Sequence, residues 1–230
     1  MSFVFACLAD EDPDSMDIEQ PNENDPTRVC EEGVPFEAEV VSFETGQVLD
    51  QQINLETLDG TLVGQLPPNG RLFFCVDESA PTPIVLQTPG GQKRLHTIVP
   101  SIAEAQFGSE NLFQIEIPQF STLPTEFLDI GINQEVTRSI TKIELRSYPA
   151  ATPIINAEVF SQNINAGSFV FSNGVFVPST TTDENGEIWF ANIDNPNNEI
   201  DVEVSSSGCN LAIRLASESG AFSSILSGCF

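Results

Sequence analysis

Short runs of alternating apolar and polar residues, cut at close intervals by Gly, Pro, Asn and Asp, leave this chain little room for helices. Residues 36–43 (FEAEVVSF) alternate in part, 72–76 form a compact apolar run, and 112–117 (LFQIEI) alternate cleanly. Residues 141–148 (TKIELRSY) put Ile143 and Leu145 on one face, and 169–177, 188–193 and 200–204 complete the set. Period-two patterning between turn-forming clusters is the pattern of an all-β sandwich or barrel. One helical turn or two is expected at 101–107 (SIAEAQF), where a capping-type serine follows Pro100. No apolar run reaches the 18 or so residues that a bilayer-spanning helix requires.

Charge narrows the functional classes. With 34 acidic and 8 basic side chains in 230 residues, the formal net charge is −26. Phosphate backbones are bound by clustered Lys and Arg, so nucleic acid is not an expected partner. Attraction to anionic lipid is disfavoured for the same reason. Residues 9–32 hold ten acidic side chains, one arginine and three prolines. Such a segment buries too little apolar surface to order itself and reads as a tether.

The five cysteines are Cys7, Cys30, Cys75, Cys209 and Cys229; none has CxxC spacing and no histidine lies near them. Zinc and redox chemistry are therefore weak readings. Cys30 and Cys75 bracket the first patterned segment and Cys209 and Cys229 the last, which makes them disulfide candidates of an exported protein. Buried free thiols are the alternative. Cys7 follows Phe3-Val4-Phe5-Ala6 and precedes the acidic run. That resembles the end of a bacterial lipoprotein signal, which makes Cys7 a lipidation candidate, although only six residues precede it and no basic region is present.

The chain also echoes itself. AEVVS at 38–42 returns as AEVFS at 157–161, TLDGTLVGQL at 57–66 parallels TTDENGEIWFANI at 181–193, and PNGRLFFCV at 68–76 aligns with PNNEIDVEV at 196–204. Three matches in one order suggest a duplicated β unit. The later copy, from Ala157 through Asn185-Gly186, Ile188, Trp189 and Phe190 to the strand at 200–204, resembles the carboxypeptidase regulatory-like, transthyretin-like (prealbumin) domains of exported bacterial surface proteins. The resemblance implies two Greek-key-type transthyretin-like or Ig-like β-sandwich domains in tandem. The expected division is an apolar segment and acidic linker at 1–29, a first domain at 30–138 and a second at 139–230. Asn185 and Gly186 are expected to form the hairpin turn, since both tolerate positive φ.

Catalytic chemistry finds little support. His96 is the single histidine and no GxSxG is present. Among 34 acids, any chosen carboxylate pair is uninformative. No cofactor or metal site is expected, with Ca2+ as the alternative. Asp183-Glu184-Asn185-Gly186 copies part of a calcium loop, but Thr181 and Asn192 would occupy the terminal ligand positions of an EF-hand. Related surface domains carry Lys–Asn isopeptide crosslinks, for which Lys142 and Asn210 would be the partners here. Arg138, Lys142 and Arg146 fall on one face of a strand and form a candidate stripe for docking an acidic partner. The expected function is thus a non-enzymatic structural or adhesion module, secreted or at the cell surface. Its partners would be other surface proteins or copies of itself, with membrane contact only through Cys7. Two further readings are a filament subunit assembled through a terminal segment (1–9 or 225–230) and a glycan-binding module, for which Trp189 and Tyr148 are the only Trp and Tyr.

Overall fold

The structure is a computed structural model that describes residues 30, 32–49, 52–66, 70–88, 93–106, 112–119, 123–135, 137–147, 149–150, 152–161, 167–194, 199–206, 209–218 and 220–229; the side chains of 63, 104–106, 199, 209 and 229 fall outside the description. The expected tether at 1–29, with Cys7, and also Tyr148 lie outside the described residues.

The protein is all-β, with two short helices among the described residues. A three-stranded sheet has the order β4 (Arg71–Val76), β1 (Val34–Ser42), β7 (Phe113–Ile117), with β1 antiparallel to β4 and parallel to β7. A second three-stranded sheet has the order β14 (Cys209–Ala216), β13 (Glu199–Ser206), β9 (Glu158–Phe160). The third sheet has nine strands. Its strands from one edge to the other are β11 (Val175–Pro178), β10 (Ser168–Ser172), β12 (Glu187–Ile193), β8 (Ser139–Ser147), β15 (Phe222–Cys229), β6 (Lys93–Ile98), β5 (Thr82–Gln87), β2 (Asn54–Glu56) and β3 (Leu62–Gln65).

The strand β15 joins the two halves of the sequence. It runs parallel to β8 from Phe222↔Ile140 to Cys229↔Ser147, and parallel to β6 from Phe222↔Arg94 to Leu226↔Ile98. The large sheet therefore passes from residues before 138 to residues after it without a break. One core of apolar side chains follows this arrangement: Phe36, Val40, Ile98, Ile143, Ile188, Val202 and Ile225 all belong to it. A smaller aromatic cluster holds Trp189 with Phe127, Phe169, Phe176 and Phe222.

The expected strands form, with three informative differences. First, 169–177 is a hairpin and not one strand. Asn173 and Gly174 both take positive φ (51° and 82°) and turn β10 back on β11, the two-residue arrangement that Asn-Gly favours. Second, α1 (Pro100–Gln106) is the helix expected there, but α2 (Leu123–Asp129) was not expected. It forms around Pro124 in its first turn, and it buries Leu123 and Phe127 against the aromatic cluster. Third, the echoed segments pair in part alike. The first and third matches of each copy are antiparallel neighbours, β1 with β4 and β9 with β13, in different registers. The middle match departs: β3 is an outer strand, whereas β12 lies inside the large sheet.

Candidate functional site

Concentrated polar chemistry is found where β6, β15, β8 and β12 run side by side. The register places His96 opposite Ser224, Ser224 opposite Lys142 and Lys142 opposite Trp189, so these side chains form one row on one face. Lys142 is only 4% exposed. Its Nζ donates to Glu116 Oε2 of β7 at 2.5 Å, lies 2.7 Å from Glu187 Oε1, and is 3.9 Å from Glu144 Oε2. The ammonium also stands 5.7 Å from the centre of the Trp189 ring. Arg146 in turn donates from Nε to Glu144 Oε1 at 2.8 Å.

The cluster thus gathers three carboxylates around one lysine and one arginine. Burial alone would strip the charge from Lys142, but Glu187, Glu144 and Glu116 outweigh it and hold its pKa above that of an ordinary lysine. Burial, helped by repulsion from Glu116 and Glu144, pushes Glu187 up to about 7 despite the attraction of Lys142. A proton on Glu187 leaves two negative and two positive charges, so the buried group is close to neutral. That is the arrangement a low-dielectric interior tolerates.

His96 belongs to the same row but plays a different part. Burial, reinforced by the charges of Arg94 and Lys142, lowers its pKa to about 3. The ring is neutral and shares a 2.5 Å hydrogen bond between Nδ1 and Ser224 Oγ. Arg94, 1% exposed, donates from Nε and Nη2 to the Pro118 carbonyl at 3.2 and 2.8 Å. Its burial lowers its pKa to about 10, with Glu44 opposing. The chemistry of this row ties strands together: Lys142 joins β7 of the small sheet to β8 and β12 of the large one, and His96 joins β6 to β15 within the large sheet.

The docking stripe of Arg138, Lys142 and Arg146 is therefore corrected at its centre. Lys142 is buried because Ile143 and Leu145 fill the core on one face while the three glutamates enclose the other. Arg138 is partly exposed, donates to Glu135 Oε2 at 3.0 Å and lies 3.5 Å from Asp194. Arg146 is committed to Glu144. Asn210 pairs with Ser205 in the β13–β14 ladder, whereas Lys142 lies on β8 with its Nζ held by carboxylates, so the structure does not bring those two residues together.

Cys30 and Cys75 are joined by a disulfide, Cα to Cα 5.8 Å, that links the segment leading into β1 to the end of β4. The backbone puts Cys209 opposite Ser206 and Cys229 opposite Ser147.

The turn at Asn185-Gly186 also differs in detail. The Gly186 amide donates to Asp183 O at 3.1 Å, and Asp183 Oδ1 accepts from the amides of Asn185 and Glu187, each at 2.9 Å. Only Gly186 takes positive φ, at 77°, and the turn feeds β12 instead of closing a hairpin between two named strands. Asp183 caps this turn, and among the described residues no group of three or more acidic, His or Cys side chains is arranged to hold a metal ion.

A groove on the molecule's surface offers an exposed aromatic side chain. Phe160, 58% exposed, stands on β9 beside Asp201, Glu203 and Arg214 in a groove of about 570 Å³ on the outer face of the β14-β13-β9 sheet. Arg214 Nε donates to Asp201 Oδ1 at 2.8 Å. Trp189, by contrast, is fully buried with Phe43, Phe176 and Phe222 at 5.0, 5.4 and 5.6 Å, so it offers no platform to a sugar.

Sequence reasoning missed Glu116, Glu144 and Glu187. The available signal was an acid inside a strand of otherwise apolar character, as in Ile115-Glu116-Ile117 and Ile143-Glu144-Leu145.

No family model matches this chain, and no curated protein matches it. Among solved structures, a variant of BcpA, the major pilin subunit of Bacillus cereus, aligns at 10% identity over 86% of this chain and 99% of that one, with a TM-score of 0.30. The shaft pilin SpaA from Lactobacillus rhamnosus GG aligns at 9% identity over 86% and 98%, with a TM-score of 0.28. The Bacillus anthracis TIE protein aligns at 12% over 84% and 34%, with a TM-score of 0.26. Likeness at these scores carries no inference about function.

Proposed function

We propose that this chain is a non-catalytic structural module of the cell exterior that assembles with copies of itself or with other surface proteins. The observation that supports it is the Lys142 cluster. The densest set of reactive groups described is enclosed and spent on holding β7, β8 and β12 together. The Cys30–Cys75 disulfide supports an oxidising compartment, where such bonds persist. In this reading residues 1–29 act as an acidic tether with Cys7 as the lipid attachment point, and 30–138 and 139–230 are two sandwich-like units that share the large sheet. The echo between those units, and their resemblance to transthyretin-like, carboxypeptidase regulatory-like domains, belong to the same reading, as does a second disulfide between Cys209 and Cys229.

The test is thiol labelling of intact cells with a membrane-impermeant maleimide. Cys30 and Cys75 should label only after a reductant is added outside the cell, and surface protease should remove the protein. Free Cys30 and Cys75 in protein from unlysed cells, or protection from protease, would overturn the assignment.

Glycan binding is a second reading, favoured by the Phe160 groove alone. An aromatic face beside a carboxylate–guanidinium pair suits a pyranose, with its apolar face on the ring and vicinal hydroxyls on Asp201 and Arg214. Loss of binding to a glycan array on Phe160→Ala is the outcome it requires.

A further inference from the structure

The two outer strands of the nine-stranded sheet, β11 and β3, carry no charged side chain, and this sets them apart. Exposed edge strands are ordinarily protected by charge, because an unpaired row of amides and carbonyls invites a second chain. Three of the four other outer strands follow that rule: β4 has Arg71, β14 has Arg214 and β9 has Glu158, while the one charge of β7, Glu116, is turned to Lys142. β11 and β3 do not.

The pattern extends beyond the strands. Residues 159–182, which contain β10 and β11, form the longest charge-free run in the chain, and 60–70, which contain β3, are charge-free as well. Interior strands such as β5 and β15 also lack charge, but they are flanked on both sides. On the two edges the apolar side chains face solvent instead: Val175 is 57% exposed, Val177 43% and Leu62 55%. Among the described residues no strand pairs with the outer side of either one.

We propose that β11 of one copy pairs with β3 of the next, so that the large sheet continues from copy to copy. This rests on the reading of the chain as an assembling structural module and names the surface through which it assembles. One molecule carries both halves of such a contact, two uncharged edges of the same length at the two sides of one sheet, and this points to a second copy as the occupant. Two molecules of net charge −26 repel over most of their surface, and these two ends are where the repulsion is least. The edges are of equal length, four residues each, with Pro178 ending β11 and thereby limiting the new ladder. Since the two patches differ and lie at opposite ends of one sheet, the contact is head-to-tail and open-ended, which yields a chain of subunits and not a closed pair.

Two single substitutions test this, Val177→Lys on β11 and Leu62→Lys on β3, both at solvent-facing positions. Sedimentation velocity over a range extending to millimolar protein should show the native chain growing in mass with concentration, and more readily as salt screens the repulsion. Each variant alone should associate at least tenfold more weakly. Mixed in equal amounts, the two should form a one-to-one dimer and nothing larger, because each retains one intact edge. A native chain that stays monomeric at all concentrations and salts overturns the proposal, while leaving the surface-labelling result above untouched. Loss of association by Val177→Lys alone would mean a closed pair through β11. Retention by both variants would mean another surface. Either result also overturns it.

Discussion

His96 Nδ1 lies 2.5 Å from Ser224 Oγ, although 128 residues of chain separate them. Their strands are parallel neighbours, so the contact depends on β15 having entered between β6 and β8. That one insertion positions Lys142 beside Ser224 and makes a single core from two stretches of sequence. The same region holds two titrations whose effects on stability oppose each other.

Folding lowers His96 from 6.5 to about 3, so its contribution is fully present above pH 6.5 and is lost as the pH falls toward 3. Folding raises Glu187 from 4.5 to about 7, so its contribution is present below pH 4.5 and is lost as the pH rises through 7. Between about pH 4.5 and 6.5 the two slopes cancel, since the folded state holds one proton more on Glu187 and one fewer on His96. Glu187→Gln should unmask the histidine: stability measured by urea unfolding should then rise with pH across that window, relative to the native chain. An unchanged profile would show that Glu187 is ionised in the folded protein.

Lys142 makes the strongest prediction about energy. Removing one partner from a buried ionic group leaves the others uncompensated, a cost of about 3–5 kcal/mol. Lys142→Met strands Glu116 and Glu187 within the same enclosure and should destabilise by that amount in urea unfolding. Measured above pH 7, where Glu187 is ionised in the native cluster, adding Glu187→Gln to Lys142→Met should restore part of the loss, because one of the two stranded carboxylates is then replaced by a neutral amide. If the double variant is no more stable than the single one, the cluster does not act as a unit. Fluorescence of Trp189, buried 5.7 Å from the ammonium, reports unfolding in either variant.

Local pattern carried much of this architecture. The alternation in 141–148 correctly put Ile143 and Leu145 on the core face, and the bracketing cysteines Cys30 and Cys75 are bonded. What local pattern does not contain is which strand lies beside which. Lys142 reads as part of a basic surface stripe because Arg138 and Arg146 share its face. Only the approach of Glu116 from β7 and Glu187 from β12, 26 residues before it and 45 after it, makes it interior. The hairpin at Asn173-Gly174 failed for a different reason. The flanking valines and phenylalanines continue the apolar pattern through the turn, and that continuity masked the Asn-Gly signal.

Gly186 separates two reasons for a glycine. Its φ of +77° strains any other residue, and a Cβ there would meet Leu145 O at 2.5 Å and Ile154 N at 3.1 Å. Those atoms are fixed: the Leu145 amide donates to Gly186 O at 2.9 Å, and Leu145 O accepts from Ile154 at 3.0 Å. Gly174 has a similar φ of +82° but open space where its Cβ would be. Gly174→Ala should therefore cost about 1 kcal/mol, from backbone strain alone. Gly186→Ala should cost roughly 3 kcal/mol or more, since β8 or the turn must also move. Urea unfolding of the two variants side by side measures the difference, and equal losses would mean that the close packing of Gly186 against β8 contributes nothing.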